Sequence, residues 1–166
     1  NVDINFHRRK MGMVFQHFNL FNNKTVIENI MLAPVHTRWQ EQKKMKKSER
    51  TATKAQITAQ AKEEAMALLR RIGLEDKADV YPSTLSGGQK QRVSMAGVMV
   101  DNVDVLLFDE PLANLDPATG KRAIALIDEI QKKNNTTIII IEHRLEDALY
   151  RNVDRIIVIG DGRIQA

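Results

Sequence analysis

Leu85-Ser86-Gly87-Gly88-Gln89-Lys90-Gln91-Arg92, followed after one short helix of chain by Val103-Asp104-Val105-Leu106-Leu107-Phe108-Asp109-Glu110-Pro111, is the stretch on which the reading of this sequence turns. In the first half, Ser86 has the chemistry of a helix N-cap and Gln89, three residues on, completes a capping box. Gly87 and Gly88 leave backbone amides uncovered at the positive end of a helix dipole, an arrangement suited to a phosphate. An ordinary capped helix could carry the same residues. In the second half, an apolar run delivers Asp109 and Glu110 to the carboxyl end of a strand, where open α/β sheets bind ligands. An aspartate held there can orient water on Mg²⁺, and a neighbouring glutamate can polarise a water for attack on a γ-phosphate. The plain alternative is an acidic strand-to-turn pair before Pro111.

Upstream, Met11-Gly12-Met13-Val14-Phe15 reads as a short buried strand with Gln16 at its exit. Thr25-Val26-Ile27-Glu28 has the form of a second capping box, and a short helix is predicted from it to Pro34. The segment from Arg38 to Gln60 is polar and lysine-rich, with Lys43, Lys44, Lys46, Lys47 and Arg50 close together. It reads as a solvated helical face or a mobile insertion, with a nucleic-acid or headgroup patch as the alternative. Ala61, Ala65, Met66, Leu68, Leu69 and Ile72 form a helical stripe that Gly73 can end as a left-handed cap.

Downstream, Asp116 can cap a helix that has Pro117 at its first position and Ile124, Ile127 and Ile130 along one side. Thr136 to Ile141 is a β-branched run expected to be buried on both faces, as central parallel strands are, and it stops at Glu142-His143. A helix is expected at about Leu145 to Arg151. A strand at Arg155 to Ile159 follows, and Gly160-Asp161-Gly162 turns it into a terminal hairpin. The order strand, helix, strand, helix, strand from Val103 onward is that of an α/β sheet. Residues 22–100 read as a mostly helical lobe ending in the Ser86 helix, and residues 1–21 and 101–166 as the sheet-bearing core. Gln16, the Asp109-Glu110 pair and His143 all fall at predicted strand exits, a coincidence that the separate bland readings do not explain.

Composition bounds the reading. The chain of 166 residues, 43 % of them hydrophobic, is long enough for a packed core. It has no cysteine, which excludes disulfides, thiolate metal sites and a cysteine nucleophile. No apolar run reaches the roughly 20 residues that span a bilayer as a helix. A net charge of +4 permits an anionic partner without indicating one.

At these residues the chain closely resembles the ATP-binding subunits of ABC transporters. Leu85 to Gln89 matches that family's signature, Val103 to Glu110 its Walker B strand, Asn114-Leu115-Asp116 its D-loop, His143 its switch histidine and Gln16 its Q-loop glutamine. The resemblance implies a P-loop NTPase-like parallel sheet with an inserted helical lobe, and ATP and Mg²⁺ as cofactors. It also implies a second ATP-binding subunit arranged head to tail, and a transmembrane permease at the cytoplasmic face of the membrane. Residue by residue, it implies that Ser86, Gly87, Gly88 and Gln89 hold the γ-phosphate of the partner subunit's nucleotide. On the chain's own nucleotide it implies that Asp109 and Gln16 attend the Mg²⁺, that Glu110 is the catalytic base and that His143, also catalytic, contacts the γ-phosphate; it also implies that Asp116 of the D-loop is among the nucleotide-binding residues. The front of the chain resembles polar amino-acid importers, whereas Ser94 to Met99 and Pro111 to Asp116 resemble the ATPases of energy-coupling-factor transporters.

Two features depart from the pattern. No Gly-x-x-x-x-Gly-Lys-Ser/Thr occurs, so the phosphate loop and the strand before it are expected to be missing and the chain to be truncated ahead of the Q-loop. The segment Arg38 to Gln60 is longer and more basic than usual. The leading expectation is therefore the ATP-hydrolysing subunit of an importer, present as a fragment inactive on its own. The alternatives are a non-hydrolysing docking module and a soluble ABC ATPase acting on nucleic acid; no specific nucleic-acid partner is expected.

Overall fold

The computed structural model describes residues 4, 7, 10–15, 18–100, 103–113, 115–143, 146 and 149–165, with side chains 130, 133 and 134 left aside. Gln16, Asn114 and the side chain of Ile130 therefore lie outside the described residues, as do Leu145, Asp147 and Ala148 of the helix expected at Leu145 to Arg151.

Three strands, β1 (Met11–Val14), β2 (Val105–Asp109) and β3 (Thr137–Ile141), form a parallel sheet in the order β1-β2-β3. Its register pairs Val14 with Phe108 and Phe108 with Ile140. Parallel partners share a face, so Gly12, Val14, Leu106, Phe108, Ile138 and Ile140 lie on one side, and Met11, Met13, Val105, Leu107, Ile139 and Ile141 on the other. The first side is the packed one: Val14, Leu106 and Phe108 are fully buried. On the second side Met11, Met13, Ile139 and Ile141 are exposed. The expectation that the Thr136–Ile141 run is buried on both faces is thus corrected. A β-branched run specifies a strand, but β3 is the edge of this sheet and alternates in burial.

Three helices follow β1 before the chain returns to β2: α1 (Val26–Lys44), α2 (Lys54–Arg71) and α3 (Gly87–Met99). The capping box at the start of α1 is present: Thr25 N donates to Glu28 Oε2 at 2.8 Å and Glu28 N to Thr25 Oγ1 at 3.4 Å. The helix does not stop at Pro34 but runs on to Lys44, which corrects the expected boundary. Pro34 costs one backbone hydrogen bond. Against that loss stand the burial of Pro34 itself and a two-pronged ion pair one turn later, Arg38 to Glu64 of α2 at 3.1 and 2.7 Å.

The basic segment is an ordered helical hairpin. Gln42 Nε2 donates to Thr51 Oγ1 at 3.0 Å, Thr51 N donates back to Gln42 Oε1 at 2.9 Å, and Lys43 and Arg50 both lie over the Trp39 ring. Lys43, Lys44, Lys46, Lys47 and Arg50 are exposed, as both a solvated face and an anion-binding patch require. At the end of α2, Gly73 adopts φ +66°, Leu74 N donates to Leu69 O and Gly73 N to Arg70 O, the paired bonds of a left-handed helix stop.

After β2, α4 (Pro117–Asn134) crosses back to β3, with Ile124 and Ile127 buried against the sheet's packed side. The terminal hairpin is present, but it corrects the expected continuation of the sheet. β4 (Val158–Gly160) and β5 (Arg163–Gln165) form a separate two-stranded antiparallel sheet. Its turn residues Asp161 and Gly162 have φ +51° and +70°, the mirror-image turn that matches strand twist.

Candidate functional site

Two places collect the residues singled out from the sequence. The first is the start of α3. Ser86 N donates to Gln89 Oε1 at 2.8 Å and Gln89 N to Ser86 Oγ at 3.3 Å, so the predicted capping box is formed. It engages Ser86 and Gln89 with each other and leaves the amides of Gly87 and Gly88 with no acceptor among the described residues. Ser86 and Gly87 are exposed, and the helix behind them is anchored by the buried Val93, Met95 and Ala96. The result is a rigid, solvent-facing pair of donors at a helix N-terminus, the geometry that receives an anion.

The second place is the carboxyl end of the sheet. β2 delivers Asp109 and Glu110, both half-buried, and β3 ends one residue before Glu142 and two before His143. The sheet register sets Asp109 beside Ile141, and Glu110 N donates to Ile141 O at 2.9 Å. That bond brings the two exits together, and His143 Nε2 lies 3.2 Å from Glu110 Oε1. Two residues far apart in the chain thus form one acid–imidazole pair. Glu110 itself has φ +49°, a left-handed conformation costly for a side chain with a Cβ, about 1–3 kcal/mol, that persists only where surroundings over-determine it. Such strain concentrates at functional sites.

Asp116 stands at the head of α4. Its Oδ1 accepts from the amides of Ala118 at 3.1 Å and Thr119 at 3.0 Å, fulfilling the expected cap. The Thr119 hydroxyl first, and then the amides, hold its carboxyl below the usual aspartate range.

Glu142 was not among the residues singled out, yet it sits between the two exits. Its Oε2 accepts from Leu112 N at 3.2 Å and its Oε1 from His143 N at 3.1 Å. A carboxylate at a strand exit beside His143 was the available signal; its partners are backbone amides, which no side-chain pattern announces.

A third feature is an apolar groove of about 190 Å³ between the exit of β1, α1 and α3, lined among others by Phe15, Phe18, Leu20, Phe21, Leu32 and Val98.

Residues 2–113 match the family model described as ABC transporter. The chain belongs to the ABC transporter family. Among its relatives, an ABC transporter ATP-binding protein of Vibrio vulnificus is 60 % identical over 100 residues, 60 % of this chain and 17 % of the relative. The methionine import ATP-binding protein MetN of Lactobacillus johnsonii is 40 % identical over 157 residues, 95 % of this chain and 40 % of that protein. The chain thus spans well under half the length of these curated relatives. The fold is shared with the ATP-binding cassette MJ0796, whose dimer was solved bound to ADP and phosphate. That likeness has a TM-score of 0.80 and 27 % identity over 100 % of this chain and 67 % of that one. It is shared also with cbiO1 of Clostridium perfringens, part of the transporter complex cbiONQ, with a TM-score of 0.71 and 30 % identity over 96 % and 57 %. The α/β class and the P-loop NTPase-type sheet read from the sequence are those of these cassettes.

Proposed function

We propose that the full-length protein binds ATP and hydrolyses it to drive an ABC importer, and that this chain serves two nucleotides with opposite ends of its fold. The Glu110–His143 pair at adjoining strand exits carries this reading, because it assembles an acid–imidazole unit where the family's sheet binds nucleotide. Glu110 is the general base: its carboxylate takes a proton from the attacking water, while His143, its Nε2 3.2 Å from Oε1, fixes the carboxylate's orientation and reaches the terminal phosphate.

Asp109, a hard oxygen donor on a rigid strand, fits a hydrated Mg²⁺, which takes one or two carboxylates and completes its shell with water and phosphate oxygens. When bound, that ion neutralises charge on the β- and γ-phosphates. Gln16 and Asp116 complete this half-site. The free amides of Gly87 and Gly88, with Ser86 and Gln89, address the γ-phosphate held by a second ATP-binding subunit across a head-to-tail dimer.

The apolar groove beside Phe15, Phe18 and Leu32 receives a cytoplasmic segment of the permease, with residues 22–100 passing motion to the membrane and residues 1–21 and 101–166 forming the nucleotide core. The likeness to MetN favours import, and the family resemblance of the front of the chain favours an amino-acid cargo.

In the full-length protein, or in a chimera supplying Gly-x-x-x-x-Gly-Lys-Ser/Thr, Glu110→Gln lowers Mg²⁺-dependent ATP turnover about 100-fold or more. Unchanged turnover in that variant removes Glu110 from its role. The 166 residues alone lack that phosphate loop and turn over ATP negligibly; robust hydrolysis by the purified chain would contradict this.

A further inference from the structure

We infer that Glu142 is the positioning residue of the strand-exit site: its carboxylate fastens the turn after Glu110 to the end of β3 and so sets the Glu110–His143 contact. The inference rests on the reading of Glu110 and His143 given above for its functional meaning, but on geometry alone for its existence.

Glu110 and His143 stand on different strands, each just past the last ladder bond, where nothing in regular sheet geometry fixes their separation. One backbone bond, Glu110 N to Ile141 O, ties the exits before the chains diverge. Beyond it, one half-buried carboxylate accepts from both sides: Oε2 from Leu112 N, two residues after Glu110, and Oε1 from His143 N. Leu112 is fully buried, so its amide needs an acceptor inside the protein, and the Glu142 carboxylate supplies one. An ionised carboxylate offers two oxygens that only accept, which is what two converging N–H groups require, and such charge-assisted bonds are stronger than neutral ones.

The clamp also bears on the left-handed backbone of Glu110. Ala113 N donates to Glu110 O at 3.2 Å, closing a tight turn in which Leu112 is the residue that Glu142 grips. Holding Leu112 holds the turn, and the turn aims the Glu110 carboxylate at the imidazole. Glutamine is the informative substitution, because it keeps size and one carbonyl acceptor while replacing the other with an N–H₂ that faces a donor.

Amide exchange and the His143 ring, both followed by NMR on the intact 166-residue chain, test this. Glu142→Gln should speed exchange at Leu112 or His143 about tenfold, and Glu142→Ala at both, with exchange at the buried centre of β2 unchanged. In either variant the ring nitrogen shifts of His143 should change, because the ring no longer keeps its 3.2 Å contact with Glu110. Glu142→Asp, a carboxylate too short to reach both amides, should restore protection at one. Unchanged exchange at both Leu112 and His143, with unchanged His143 ring shifts, in Glu142→Gln would overturn the proposal, and that variant answers the question even if Glu142→Ala fails to fold. In the full-length protein, Glu142→Gln should lower kcat for ATP while leaving KM within about twofold. A clamp confirmed by exchange but without effect on kcat would refute its functional role. Turnover unaffected by Glu110→Gln would instead overturn the hydrolytic reading and leave the clamp standing.

Discussion

Asp116 shows how a residue's surroundings can be read as a pH dependence. Hydrogen bonds from the Thr119 hydroxyl and from the Thr119 and Ala118 amides favour its ionised form, so its folded pKa lies below the ordinary aspartate value. A depressed folded pKa contributes stability that is fully present above the unfolded value and is lost as pH falls through the folded one. Thermal unfolding between pH 6 and pH 2 should therefore show an acid loss that shrinks in Asp116→Asn, since asparagine still caps the helix but does not titrate. An acid limb of the same depth in both proteins would remove this contribution. Gly73 offers a backbone counterpart. At φ +66° a Cβ has room, its nearest neighbour being Arg92 Nη1 at 3.9 Å, so the cost of Gly73→Ala is conformational rather than steric. Denaturant titration should find a loss of about 1 kcal/mol, the ordinary penalty for a left-handed side-chain-bearing residue.

At the scale of elements, helix starts were the most legible feature. Each of Thr25-x-x-Glu28 and Ser86-x-x-Gln89 is a local circuit complete within four residues, so sequence carries it and the structure closes it. The same locality yields a prediction for α3. Ser86→Ala removes the acceptor for Gln89 N and should cost about 1 kcal/mol in chemical denaturation, with full hydrolysis assays showing a separate, larger loss if Ser86 also meets phosphate. Less legible were the properties that depend on what lies across space. Pro34 looked like a helix end because its local penalty is real, whereas the contacts that override it come from Glu64, thirty residues later. Glu142 went unread for the same reason: its two amide partners meet only once β2 and β3 are in register. Gln16 and Asn114 fall outside the described residues, so their expected roles rest on the sequence.

For the molecule as a whole, the register divides the sheet into a packed face and an open one, and that division was invisible in the run Thr137-Ile138-Ile139-Ile140-Ile141 because every residue after the first is the same. Hydrophobic identity fixes a strand; only the neighbouring layer decides which side is buried. Ile138 and Ile140 pack against the core with Phe108, while Ile139 and Ile141 are about half exposed, at 47 % and 54 %. Alternate positions of one strand should therefore respond differently to the same change. Ile140→Thr places a hydroxyl and a missing methyl group against Phe108 and should destabilise the chain by about 1–3 kcal/mol. Ile139→Thr and Ile141→Thr keep β-branching for the strand and remove apolar area from solvent, so stability should change little, while binding of a hydrophobic dye to the native chain falls. Denaturant midpoints and dye fluorescence on the three variants separate the two faces. Equal destabilisation at positions 139 and 140 would mean that both faces are packed in solution and that the open side is covered there.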